Sequence, residues 1–161
     1  VTKTNTTTTD SFNAVEQGSL GQFVGTEPHY FYGKSTPVNK PYYDVSKMNS
    51  LPNVSVVYMH TNADLPLFEA AVKSGAKGIV VAGTGNGSLP EPLKARVKAL
   101  MDSGIPVVRA SRTGSGFVGQ SDKMGGIGAG WHNPQKARIL LSLALTKPNN
   151  SDEIKKVFGT N

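Results

Sequence analysis

The feature that most constrains this chain is a four-residue apolar run, Ile79-Val80-Val81-Ala82, that breaks at once into Gly83-Thr84-Gly85-Asn86-Gly87-Ser88. The run is too short and too β-branched for a buried helix, so it reads as an interior strand of a parallel sheet, covered on both faces. Three glycines alternating with Thr84, Asn86 and Ser88 then give a loop that can present amides and small polar side chains without Cβ obstruction. A loop at the carboxyl end of a parallel strand is where open α/β sheets place their ligands.

The flanking sequence supports that fold class. Val54-Ser55-Val56-Val57-Tyr58 reads as a strand, and residues 65–74 as a short helix with Leu67, Ala70 and Ala71 on one face and Gly75 beyond its end. Residues 91–103 form a second helix in which Leu93, Val97, Leu100 and Met101 recur at helical spacing, ended by Gly104. Pro106-Val107-Val108-Arg109 is a third strand. Asn133 as N-cap and Pro134 at the first helical position open the longest helix, which buries Ala137, Leu140, Leu141, Ala144 and Leu145. Ser151-Asp152-Glu153 caps a last helix docked through Ile154, Val157 and Phe158. Strand, helix, strand, helix, strand at these spacings close as right-handed parallel crossovers, and an α/β three-layer sandwich with a short parallel sheet follows for residues 51–161.

The amino-terminal third differs in composition. Residues 1–10 are polar and threonine-rich, the pattern of a solvated arm; Phe12, Leu20, Phe23 and Val24 are sparse apolar anchors between Gly18, Gly21 and Gly25, as in short strands with tight turns. No self-sufficient core is expected there. Residues 30–43 hold four tyrosines broken by Pro37 and Pro41, and read as an extended connector. With 161 residues, 37% of them hydrophobic, 18 Gly and 10 Pro, the chain can build one ordinary core and a smaller appendage.

Several chemistries are disfavoured. The formal charge of +6 comes from scattered lysines and arginines rather than a stripe, so nucleic acid is not an expected partner. Zero cysteines exclude disulfides, thiolate catalysis and Cys-ligated zinc. His29, His60 and His132 lack ligand-pair spacing. No stretch approaches the ~18 apolar residues of a membrane span. The glycine loop invites a dinucleotide reading but carries Ser88 where the third glycine belongs, and it lacks the Gly-Lys-Ser/Thr ending of a P-loop. A Ser-His-Asp triad can be drawn from Ser88 and His132, yet nothing makes Ser88 a nucleophile elbow. Four Asn-x-Ser/Thr patterns, at Asn5, Asn53, Asn86 and Asn149, lean toward a secreted, periplasmic or cell-wall location. The chain opens on Val1 without Met or signal peptide, as a processed product, a fragment or a partial record would.

Five segments in order, Val1-Thr2-Lys3-Thr4-Asn5-Thr6, Leu51-Pro52-Asn53-Val54, the run from Gly78 to Ser88, Val107-Val108-Arg109-Ala110-Ser111-Arg112, and Asn133-Pro134-Gln135-Lys136-Ala137-Arg138, together resemble the bacterial-type II L-asparaginases. The likeness runs over nearly the whole chain and covers only the carboxyl half of such an enzyme. It implies residues 1–27 as the end of a larger amino-terminal domain, 28–50 as an interdomain linker and 51–161 as the smaller domain. It also implies a homotetramer with active sites at subunit interfaces, a partner amino-terminal half, L-asparagine as substrate with possible glutaminase side activity, and no cofactor. The family's nucleophilic threonine, in a Thr-Gly-Gly-Thr-Ile segment, and its Thr-Asp pair after His-Gly have no match here.

Three residues inherit roles from the resemblance. Lys3 matches the lysine that completes a Thr-Asp-Lys relay, keeping its ammonium near the carboxylate while the threonine hydroxyl loses its proton. Ser88 matches the loop position that reaches a neighbouring subunit's substrate amino group. Gln120 lies nearest the position of an acidic substrate contact, with Asp122 as the carboxylate of that stretch; loss of a charge-assisted contact costs about 1.5–3 kcal/mol. The alternative expectation is a non-catalytic ligand-binding or assembly module when the chain is isolated.

Overall fold

A computed structural model describes residues 1–33, 41–62, 65–148 and 150–159. Pro37 of the expected connector and Asn149 of the fourth sequon lie outside them. The chain divides into two compact units, Val1–Lys40 and Pro41–Asn161.

The larger unit follows from a single four-stranded parallel sheet in the order β5-β6-β7-β8, with β5 at Val54–Tyr58, β6 at Gly78–Gly83, β7 at Val107–Ser111 and β8 at Ile127–Gly128. Every residue of β6 and β7 is buried. Alternation along β6 sends its side chains to two cores. Ile79 and Val81 join Val57, Val107 and the helices α1, Leu65–Lys73, and α2, Glu91–Asp102, through Phe68, Leu93, Val97 and Leu100. Val80 joins Val108, Ile127 and the helices α3, Pro134–Ala144, and α4, Ser151–Gly159, through Ala137, Leu141, Ile154 and Phe158. The three-layer α/β sandwich is therefore present, with one helix pair on each face.

Helix boundaries follow local chemistry. α1 and α2 both close with the second amide past the last turn reaching back five residues, Ala76 to the Ala71 carbonyl at 3.1 Å and Ile105 to the Leu100 carbonyl at 2.9 Å. Asn133 caps α3, its side chain accepting from the Lys136 amide. At α4 the cap is one residue earlier than the sequence suggested. Asn150 Oδ1 accepts from the Asp152 and Glu153 amides at 3.0 Å each, and the Glu153 carboxylate accepts from the Asn150 amide at 3.1 Å, a reciprocal capping box.

One further expectation is corrected. The buried face of α1 carries Phe68 and Ala71, with Val72 half-buried, whereas Leu67 and Ala70 are exposed. The larger Phe68 side chain takes the core position and rotates the helix accordingly. Residues 110–130 also contain a strand that the sequence reading did not identify, β8, which pairs with β7 in the register Val108 to Ile127 and Arg109 to Gly128. Residues 42 and 43 are tied to this unit through Lys147, whose Nζ donates to the Tyr42 carbonyl at 3.0 Å and lies 5.0 Å from the centroid of the half-buried Tyr43 ring, while the Tyr42 ring is exposed.

The smaller unit is two hairpins. β1, Thr2–Lys3, pairs antiparallel with β2, Phe12–Asn13, so the expected solvated arm begins as a strand. β3, Gly21–Val24, pairs antiparallel with β4, Glu27–Tyr30, and carries regular pairing past residue 27. Phe12, Leu20, Phe23 and Tyr30 stay exposed and line an open cleft of about 280 Å³. No described helix is long and apolar enough to cross a membrane.

Candidate functional site

The carboxyl ends of β6 and β7 carry the two loops in which the sequence placed Ser88 and Gln120. After Gly83 the chain turns tightly: the Gly87 and Ser88 amides both donate to the Thr84 carbonyl, at 3.0 and 2.9 Å. Thr84 and Asn86 are exposed at the tip and Ser88 is half-buried, while Leu89 is buried and anchors the return into α2. Gly87 has φ +80°, and a Cβ there would meet Val118 Cγ1 at 2.9 Å. Ser88 Oγ donates to Asn86 Oδ1 at 3.2 Å. An amide oxygen is no general base, so this hydroxyl is a polar contact group rather than an activated nucleophile. His132 does not serve it: its Nδ1 lies 3.0 Å from the Ala129 carbonyl and its ring packs edge-on against Phe158.

The second loop, from Arg112 to the start of β8, folds back along β8. Val118 and Gly130 exchange both backbone hydrogen bonds at 2.9 Å. The Gln120 side-chain amide does the same with a backbone: Nε2 donates to the Gly128 carbonyl and Oε1 accepts from the Gly128 amide, each at 2.9 Å. Both ends of that side chain are thus engaged by the backbone of one residue, Gly128, and the nearby carboxylate, Asp122, is exposed.

Beneath these loops lies a residue to which the sequence reading gave no role. Arg109, in the middle of β7, is 1% exposed. Its Nε donates to the Gly125 carbonyl at 2.5 Å, Nη2 to the Gly119 carbonyl at 3.1 Å and Nη1 to the Gly87 carbonyl at 3.5 Å. Among the described residues no carboxylate pairs with it. Burial holds its guanidinium below the usual arginine range. Two residues on, buried Ser111 donates to the Gly85 carbonyl and lies 2.7 Å from Thr113 Oγ1. Arg112 ties the edge of the sheet, donating from Nη1 to the Met59 carbonyl at 2.6 Å with its guanidinium over Tyr58. The signal available in the sequence was a charge between Val108 and Ala110 in an otherwise apolar strand.

Lys3 belongs to the smaller unit. Its ammonium donates to Ser11 Oγ at 3.3 Å and lies 4.9 Å from the Phe12 ring centroid, across the β1–β2 pairing. The larger unit by itself therefore offers a polar rim of hydroxyl and amide groups, Thr84, Asn86 and Ser88, suited to holding a small polar ligand.

Comparison with known proteins gives this rim a family. Residues 53–158 match the glutaminase/asparaginase C-terminal domain. L-asparaginase 2 of Bacillus subtilis is 44% identical over 166 residues, covering 99% of this chain and 43% of that protein. Glutaminase-asparaginase of Acinetobacter glutaminasificans is 39% identical over 150 residues, covering 88% and 45%. The probable periplasmic L-asparaginase of Haemophilus influenzae is 34% identical over 165 residues, covering 98% and 47%. The chain thus spans just under half the length of these curated relatives. With a matched domain over most of its length and a sheet of the expected architecture beneath it, the chain belongs to the glutaminase/asparaginase family.

Proposed function

We propose that this chain is the carboxyl half of an L-asparagine amidohydrolase, releasing ammonia and aspartate, with glutaminase side activity. The observation that carries the reading is that the likeness to the Bacillus enzyme covers 99% of the chain, through both structural units. In this reading the nucleophilic threonine belongs to the amino-terminal half. The exposed Phe12, Phe23 and Tyr30 of the hairpin unit supply an apolar surface for that half to cover. Lys3 completes the proton relay, and Ser88 offers its hydroxyl to a substrate ammonium in a neighbouring subunit of a homotetramer. Gln120 acts at the same rim, either through the loop it braces against Gly128 or by releasing that contact to meet substrate. The relative named as periplasmic supports a secreted or periplasmic location.

The test uses the complete protein, with this chain joined to its amino-terminal half. Ammonia release from L-asparagine is expected, and Lys3→Met should lower kcat by about 10²–10⁴-fold, the range for loss of a proton-transfer group, with the oligomer intact by native mass spectrometry. Turnover retained in the variant would remove Lys3 from the relay. An intact assembly that releases no ammonia from either asparagine or glutamine would favour a non-catalytic module.

A further inference from the structure

We propose that Arg109 is a positioning residue for the substrate-facing loop: its buried guanidinium locks the turn bearing Ser88 to the loop bearing Gln120, so that the two take up one geometry together. The inference rests on the reading of this rim as the substrate-binding edge of an amidohydrolase.

Three observations lead to it. The first is the cost of the arrangement. A cation 1% exposed and, among the described residues, without a carboxylate partner is expensive to bury, and an apolar side chain of similar volume would fill the same space without that penalty. What the guanidinium provides is a planar fork with donors in three directions, which neither an apolar chain nor an ammonium reproduces.

The second is where the fork points. Its acceptors are Gly87, one peptide before Ser88, and Gly119, one peptide before Gln120, with Gly125 at the far end of the same loop. Val107, Arg109 and Ser111 alternate onto one face of β7, which changes along the strand from apolar core to cation to hydroxyl. Ser111 takes the Gly85 carbonyl, so successive residues of that face hold two carbonyls of one turn, Gly87 and Gly85.

The third is the absence of slack. A Cβ on Gly87 would lie 3.3 Å from Arg109 Cβ, and one on Gly126 3.4 Å from Arg109 Cγ, so the arginine stem is enclosed by both loops. Movement of the 112–126 loop is transmitted through this stem to the peptide that carries Ser88.

The experiment compares wild type, Arg109→Met, Arg109→Lys and Ser111→Ala in the complete protein. Steady-state kinetics are measured on L-asparagine and on succinamic acid, the same amide without the α-amino group. Arg109→Met should raise KM for L-asparagine about tenfold, the loss of roughly one hydrogen bond to a charged group, with kcat within about twofold and the kinetics on succinamic acid unchanged. Arg109→Lys, which keeps the charge and loses the fork, should fail to rescue. Amide hydrogen exchange supplies the second readout: residues 84–88 and 117–126 should lose protection together in both Arg109 variants, and residues 84–88 alone in Ser111→Ala. Equal losses on both substrates, full rescue by lysine, or loosening of 117–126 while 84–88 keeps wild-type exchange would each overturn the proposal. If wild type releases no ammonia while the two loops still loosen together, the amidohydrolase reading fails and the coupling of the loops stands.

Discussion

The two units of this chain bury their apolar residues in opposite ways. In the larger unit β6 has all six residues buried, and Phe68, Val97, Leu141 and Phe158 are at most 1% exposed. In the smaller one, Phe12 is 67% exposed, Phe23 74% and Tyr30 74%, although all belong to paired strands. Backbone pairing alone therefore does not make a core. A two-stranded hairpin satisfies its ladder without enclosing either face, whereas a parallel sheet carries crossover helices that close both. One region encloses its own core, and the other leaves its apolar side chains exposed.

The contrast is tested most strongly by one pair of substitutions. Phe68→Ala opens a cavity in a closed core and should cost about 3–5 kcal/mol. Phe23→Ala in this same chain should change stability by less than about 0.5 kcal/mol, because the ring already faces water. Urea unfolding followed by far-ultraviolet circular dichroism and by the single tryptophan, Trp131, measures both. Comparable costs would mean that the hairpin unit has a core of its own. In the complete protein the cost of Phe23→Ala should rise, which would identify its ring as part of the covered surface.

A smaller effect is expected where the larger unit brings two backbones together. A Cβ on Gly128 would run into the Gly119 carbonyl, so Gly128→Ala must displace the loop that Gln120 and Arg109 hold. A cost of about 1–3 kcal/mol is expected, the usual range for overpacking. Gly75→Ala is not an equivalent control, since its φ of +86° adds backbone strain; Gly119→Ala, whose Cβ would meet only the Phe117 ring edge at 3.5 Å, is. Equal midpoints for Gly128→Ala and Gly119→Ala would show that the β8 strand has room to shift.

These positions also mark what could be read from the residues. β6 was legible because burial on both faces leaves a continuous β-branched run, and α2 because Leu93, Val97 and Leu100 repeat at helical spacing. β8 was not, since two residues, Ile127-Gly128, carry no periodicity and their pairing depends on the register of β7. The glycine turn was legible as a ligand-facing loop from its place after a buried strand. Arg109 was not, because a charge in a strand usually marks a solvent face, and only the assembled loops reveal three carbonyls around it. Lys3, Ser88 and Gln120 came from family resemblance rather than from spacing, and the roles proposed for them, which call on a second polypeptide, have no local pattern to betray them.

The smallest expected effect concerns the border between the two units. Residues 41–50 lie on the larger unit's side, where Lys147 holds the Tyr42 carbonyl and the chain then turns at Asp44. Asp44 accepts from Ser46, whose amide lies 2.9 Å from Oδ1, and these hydrogen bonds, the side chain's first and the backbone's second, hold the carboxyl below its ordinary 3.8. A carboxyl lowered in the folded state contributes stability that is fully present above its unfolded value and lost as pH falls through its folded one. The contribution of this turn should therefore be fully present above pH 3.8 and be lost as pH falls below it through the lower folded-state value. Carbon-detected NMR titration of Asp44 should give a midpoint below 3.8, and Ser46→Ala should move it only part of the way back, because the backbone amide still donates. A wild-type midpoint at or above 3.8 would mean that the turn is not formed in solution. The ordered edge of the larger unit would then begin nearer β5 than Pro41.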